Sequence, residues 1–98
     1  MKTVEEIKKE RDAELQGMEE RYRDRQNEVA KEKEAVKAEA EKKLEKGENI
    51  DSEKDRHKDL QRLEDKNFDD YKDDRKQVSD YHQQEIDRAE KENDDYEK

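Results

Sequence analysis

Cysteine, proline and tryptophan are missing from this 98-residue sequence, and glycine occurs only twice. Without cysteine, the chain has no disulfide framework and no thiolate metal site. Without proline, and with so few glycines, little interrupts a helix over most of the sequence. No run of apolar residues is longer than two, which predicts that no segment spans a membrane. These absences together favour long, uninterrupted helices.

The amino-terminal residues also lack the apolar stretch of a secretory signal. The first twelve residues, MKTVEEIKKERD, contain isolated apolar residues between charges. A signal peptide needs a continuous apolar region, so none is expected here. A cytoplasmic location is the default expectation.

The balance of charged and apolar residues limits the fold further. Charged residues make up 58% of the chain and hydrophobic residues 24%, whereas ordinary domains have about 25% and 45–50%. A compact core is therefore excluded. Disorder remains one alternative, and long helices that meet along a narrow line remain the other.

The apolar residues decide between these alternatives, because they lie on one thin stripe at helical spacing. The stripe stops near Gly47 and resumes at Leu60. If the chain folds back so that partner numbers sum to about 100, apolar residues meet apolar residues. The expected pairs are Val4–Tyr96, Leu15–Ile86, Met18–Tyr81, Tyr22–Val78, Val29–Tyr71, Val36–Leu63 and Ala40–Leu60.

Helix signals give the boundaries of this fold. Thr3 and Glu6 form a capping-box pattern, Gly47 suits the position after a helix, and Asp51 or Ser52 suits the cap of the next one. The sequence therefore predicts an all-α chain, 1–98, forming one antiparallel coiled-coil hairpin, a helical hairpin rod. Its parts are helix 1 at about 3–46, a turn at 47–51 and helix 2 at about 52–97. A single continuous helix that dimerises is the competing arrangement.

Several apolar positions of the first half recur every eleven residues. Examples are Ile7, Met18, Val29 and Ala40, and the spacing of 3.67 residues per turn predicts a nearly straight or slightly right-handed seam. Over residues 4–44 this spacing, with the high charge and the lack of Cys and Trp, resembles the eleven-mer class of late-embryogenesis-abundant proteins. The resemblance implies a stress protectant that is disordered in water and helical when dried.

The net charge of −9 is concentrated in the second half of the chain. Residues 1–47 carry 13 basic and 14 acidic side chains, whereas residues 48–98 carry 11 and 19. Such a surface disfavours nucleic acid and anionic lipid as direct partners and suits a basic protein. The densest part predicts an acidic interaction face made of Glu64, Asp65, Asp69, Asp70, Asp73 and Asp74.

No catalytic, cofactor or metal site is predicted. His57 and His82 are 25 residues apart on one helix, so a single hairpin cannot bring both to one ion. His82 and Glu85 have the spacing that carboxylate-bundle metal sites use, but such sites need several inward-facing ligands. We expect His82 beside the seam and no enzyme activity.

The predicted function is a non-enzymatic spacer, scaffold or adaptor that binds an unidentified protein. The alternatives are an acidic inhibitor or decoy of a basic, possibly nucleic-acid-binding protein, the stress protectant described above, and an engineered hairpin. No second continuous apolar face is apparent, so the hairpin is expected to be a monomer or a weak homo-oligomer.

Overall fold

Two long helices pack against each other in the computed structural model, which describes the backbone of residues 2–97 and the side chains of residues 2–92. Helix α1 runs Val4–Glu45 and helix α2 runs Asp51–Glu97, and no strand occurs in this described range. Cross-helix partners become closer in sequence towards the turn, so the helices are antiparallel. The predicted all-α hairpin is confirmed.

The first helix begins where the sequence predicts. The side-chain oxygen of Thr3 accepts a hydrogen bond of 3.2 Å from the backbone N–H of Glu6. This bond satisfies one of the N–H groups that the first turn of a helix leaves without a partner.

Gly47 ends α1, as its position in the sequence indicates. Its φ of 71° lies in the left-handed region, which glycine adopts without steric cost. The N–H of Glu48 donates to the carbonyl of Lys43, and the N–H of Gly47 donates to the carbonyl of Leu44. These two bonds define a Schellman motif, which satisfies the last carbonyls of α1.

The cap of α2 differs from the prediction. Asn49, rather than Asp51 or Ser52, supplies the capping side chain: its Oδ1 accepts a 2.7 Å hydrogen bond from the N–H of Asp51. The helix can therefore start at Asp51, one residue before the predicted start. An Asn side chain reaches its own backbone two residues onward, which suits it to this turn.

Replacing Asn49 with alanine should destabilise the hairpin by about 1 kcal/mol, because the N–H of Asp51 loses its acceptor. Ser52→Ala is the matched control and should cost much less, since Ser52 is exposed in the first turn of α2. Urea unfolding followed by circular dichroism measures both. A larger loss for Ser52→Ala than for Asn49→Ala would restore the cap predicted from sequence.

The contacts divide the chain into two compact units. The turn unit is Arg21–Asp70, and the terminal unit is formed by Met1–Glu20 with Tyr71–Lys98. The turn unit contains 14 basic and 16 acidic residues, whereas the terminal unit contains 10 and 17. Most of the negative charge, −7 of −9, therefore belongs to the terminal unit.

The register of the two helices also differs from the prediction. Residue numbers of cross-helix partners sum to 94 for Lys33 with Gln61 and to 96 for Lys43 with Glu53, not to about 100. The ends of α1 and α2 explain the shift, because helices that stop at 45 and restart at 51 are centred on residue 48. Ile86 accordingly packs with Ile7 and Ala89, not with Leu15. The side chain of Tyr96, the expected partner of Val4, lies outside the described residues.

Burial along α1 follows the predicted eleven-residue spacing and then departs from it. The recurring steps of three, four and four persist to Lys33. Val36 and Lys43 then occupy the seam where that spacing would place residues 37 and 44, whereas Ala40 keeps the predicted position. Leu44, expected on the seam, is 58% exposed as a result. The buried or half-buried positions are 4, 7, 11, 15, 17, 18, 22, 26, 29, 33, 36, 40 and 43, of which only Gly17 lies off the stripe.

On α2, three apolar residues predicted for the seam lie outside it. Leu63, Phe68 and Tyr81 are 44%, 48% and 60% exposed. The seam continues instead from Leu60 at a spacing of about 3.5 residues, and polar side chains occupy several of its positions. The buried or half-buried positions in the described part of α2 are 53, 60, 64, 67, 71, 78, 79, 82, 85, 86 and 89.

Candidate functional site

Polar side chains at the seam of the turn unit form a cross-helix network. Lys33 donates to Gln61 Oε1 at 2.7 Å and to Glu64 Oε2 at 2.8 Å. The Lys33 side chain is 18% exposed and that of Glu64 is 37% exposed, so the ion pair is partly shielded from water. With partner numbers that sum to about 100, Lys37 would lie opposite Glu64. The register shift gives that role to Lys33, one helical turn earlier.

A second polar layer lies beside this ion pair. Gln26 donates to the hydroxyl of Tyr22 at 3.1 Å and to the backbone carbonyl of Glu64 at 3.2 Å. Its side-chain oxygen accepts from Asn67 at 3.2 Å. The ring of Tyr22 meets that of Phe68 at 6.4 Å between centroids. Such networks allow only one alignment of the helices, because a slide would leave half-buried amides unpaired.

Near the turn, Lys43 donates a short hydrogen bond to Glu53, whose side chain is only 4% exposed. The bond to Lys43, followed by the backbone N–H of Glu53 itself, lowers the pKa of the Glu53 carboxyl. The same bond raises the pKa of Lys43. The other carboxylate oxygen of Glu53 is buried without a hydrogen-bond partner in the described structure.

The Lys43–Glu53 pair makes the turn unit sensitive to acid. Because the pKa of Glu53 lies below its ordinary 4.5, the stability from this pair is present above pH 4.5 and is lost as the pH falls through the lowered value. Glu53→Gln should therefore lose less stability than the parent between neutral pH and acid. Thermal melts across that range measure the difference, with the exposed Asp55→Asn as the matched control. Equal acid sensitivity in the parent and Glu53→Gln would contradict the assignment.

In the terminal unit, a buried histidine takes the place of an apolar residue. His82 is 4% exposed, and its Nε2 lies 2.7 Å from Glu14 Oε2 on α1. The sequence predicted His82 beside the seam and Tyr81 in it, and the structure reverses the two. The rings of Tyr81 and His82 meet edge to face at 5.4 Å. A hydrogen bond to Glu85 raises the pKa of the Tyr81 phenol.

Two of the six residues of the predicted acidic face are bonded to other side chains of the turn unit, and the other four are exposed. Glu64 is occupied by Lys33, and Asp65 accepts a 3.2 Å hydrogen bond from Gln61. Within the turn unit, Asp69 and Asp70 are exposed. The two remaining residues, Asp73 and Asp74, are exposed and belong to the terminal unit.

The described residues contain no group of three or more His, Asp or Glu side chains placed to hold a metal ion. Three shallow grooves have volumes of about 180, 210 and 260 Å³. The first is lined by Val36, Lys37, Ala40, Glu53, Lys54 and His57. All three are smaller than the ~300–1,000 Å³ typical of small-molecule sites.

Comparison with protein-family models, curated proteins and solved structures gives no significant match for this chain. The likeness to eleven-mer late-embryogenesis-abundant proteins therefore rests on spacing and composition, without a matching sequence. Over the residues that the structure describes, neither helix has a stretch long and apolar enough to cross a bilayer.

Proposed function

We propose that this protein is a non-enzymatic helical hairpin that serves as a spacer, scaffold or adaptor for a protein partner. The observation that carries the proposal is that buried and half-buried polar side chains of α2 bond to side chains of α1. Glu53, Glu64 and His82 each meet a partner on α1, so they hold the two helices in one alignment. A defined register is what an element that presents its surface to another protein requires.

We also propose that the seam is an antiparallel coiled coil. In the turn unit, residues 29, 33, 36, 40 and 43 of α1 and 53, 60, 64, 67 of α2 follow steps that fit a seven-residue repeat. The exposed pair Glu39–Arg56 at 3.1 Å flanks this line, as charged residues beside a coiled-coil seam do.

The absence of enzyme activity remains part of the proposal and has its own support. A catalytic acid or base works in a site that shields it from water and leaves it a path to substrate. The buried carboxylate of Glu53 is bonded to Lys43, and the buried imidazole of His82 is bonded to Glu14. Both contacts serve helix pairing.

Partner capture with a matched pair of variants tests the proposal. Proximity labelling in the source cells should enrich the same proteins for the parent and for Ala30→Asp, which adds a charge on the exposed face of α1. The same proteins should be lost with Val29→Asp, because Val29 is buried at the neighbouring position. Labelling that is unchanged by Val29→Asp would mean that the hairpin is not what the partner binds.

Circular dichroism in dilute buffer separates this proposal from the protectant alternative. A folded adaptor should be strongly helical and should melt cooperatively. A chain that is disordered in water and gains helix only on drying would favour the protectant.

A second candidate, an acidic decoy for a basic protein, is supported by the exposure of Asp69, Asp70, Asp73 and Asp74. Binding to poly-L-lysine at low salt can serve as the probe. Changing these four residues to Asn should weaken binding more than an equal change of charge on α1, such as Glu28, Glu34, Glu41 and Glu45 to Gln. Equal losses would indicate a response to net charge alone and would remove the decoy from consideration.

A further inference from the structure

An exposed leucine in the turn unit lines a shallow groove. Leu63 is 44% exposed, although its neighbour Leu60 is half-buried in the helix contact. The groove has a volume of about 210 Å³ and is lined by Glu32, Arg56, Asp59, Leu60 and Leu63. The groove therefore combines the apolar surface of two leucines with three charged side chains.

The residues around Leu63 form a face with a specific order of charges. Positions 56, 59, 63, 66 and 70 follow steps of three and four residues, which places them on one side of α2. All five are exposed. In chain order they are Arg56, Asp59, Leu63, Lys66 and Asp70, so the signs run plus, minus, apolar, plus, minus.

This order is complementary to its own reverse. If a second α2 lies antiparallel across the first with Leu63 on Leu63, Arg56 of each copy meets Asp70 of the other. Asp59 meets Lys66 in the same way. From this self-complementarity, which is independent of the proposed function, we infer that two copies of the chain associate through the Leu63 face (Arg56, Asp59, Leu63, Lys66 and Asp70). The interface is isologous, since each copy uses the same patch.

The charges also select the orientation. A parallel arrangement would set Arg56 against Arg56 and Asp59 against Asp59, and like charges in contact oppose association. The ion pairs that the monomer makes on this face are exposed: Arg56 with Glu39 at 3.1 Å and Asp59 with Arg62 at 3.6 Å. Exposed pairs contribute little, so exchanging them for contacts with a second copy costs little.

The affinity should be low, because one leucine and four ion pairs form a patch smaller than a stable interface of ~1,200–2,000 Å². The net charge of −9 on each copy also opposes association. A dissociation constant on the order of 10⁻⁴ to 10⁻³ M follows from such a contact.

Sedimentation equilibrium of the full chain, from about 20 µM to about 2 mM, tests the inference across that range. Asp70→Arg should weaken the dimer roughly tenfold or more, since two symmetry-related attractions become repulsions. The same substitution takes the net charge from −9 to −7, which by itself would favour association. A weaker dimer is therefore specific to the pairing of Asp70 with Arg56.

Two further variants complete the experiment, and circular dichroism checks that each one is folded. Arg56→Asp combined with Asp70→Arg exchanges the two signs and should restore the parent affinity. Asp69→Arg makes the same chemical change one residue away, off the Leu63 face, and should not weaken the dimer. A parent that stays monomeric at about 2 mM overturns the inference. So does an Asp69→Arg dimer as weak as that of Asp70→Arg, or a double variant that fails to recover.

Discussion

Val36→Asp should abolish the pairing of α1 and α2 in the turn unit. Val36 is the most deeply buried of the large side chains, at 2% exposure. The substitution removes about 1.5–3 kcal/mol of apolar burial and places a carboxylate where the side chain is almost fully shielded from water. An unpaired buried charge adds several kcal/mol to that cost. A narrow seam between two helices has little stability to lose, so we expect the unit to unfold.

The exposed neighbour Ala35 gives a matched control for Val36→Asp. Ala35→Asp introduces the same carboxylate one position away on the exposed face of α1 and should cost less than about 1 kcal/mol, mainly through helix propensity. Amide hydrogen exchange across residues 21–70 measures both variants. Protection that survives Val36→Asp would mean that the helices of this unit are held by something other than the seam around Val36.

The sequence predicts the number of helices, their type and both ends of α1, because these features depend on local interactions. The Thr3 side chain caps the first helix by accepting a hydrogen bond from the backbone N–H three residues later. Gly47 ends the same helix because its φ lies in the left-handed region. Both effects act within one turn of the chain. The stripe of apolar residues then requires the helices to meet, which fixes an all-α hairpin.

The register could not be predicted in the same way. A slide of about four residues moves one helix by roughly one turn, ~5.4 Å, and returns the same face to the seam. Apolar residues meet apolar residues in both alignments, so the stripe cannot distinguish them. The deciding signal is Asn49, whose Asx turn lets α2 begin at Asp51. Asn, Asp and Ser are equally suitable helix caps, so the sequence alone could not select Asn49 over Asp51 or Ser52.

The candidate interaction residues were predicted unevenly for a related reason. Exposure of Asp69 and Asp70 follows from helical spacing alone. Whether Glu64 is open or paired depends on which lysine of α1 lies opposite, and that depends on the register. The exposure of Leu63 and Phe68 also escaped prediction, because their size suggested burial. The seam of α2 follows a repeat that starts from Leu60. This repeat places Glu64 and Asn67 on the seam instead of Leu63 and Phe68.

A double-mutant cycle between Ile7 and Ile86 should reveal a strong coupling that is absent between Leu15 and Ile86. Ile7 and Ile86 are each 3% exposed and belong to one cluster with Ala89. Each Ile→Ala change should therefore cost about 2–5 kcal/mol. The double variant should cost less than the sum of the two, by about 0.5–3 kcal/mol, because the first truncation already removes the contact.

The alignment predicted from sequence, in which the numbers of paired residues sum to about 100, makes the opposite prediction for this double-mutant cycle. It would set Leu15 against Ile86, so Leu15→Ala and Ile86→Ala would couple and Ile7→Ala would act independently. Urea unfolding in the presence of trimethylamine N-oxide keeps the weakened variants measurable, because this osmolyte favours burial. Coupling confined to Leu15 and Ile86 would mean that the helices of the terminal unit are displaced by about two turns from the alignment that pairs Ile7 with Ile86.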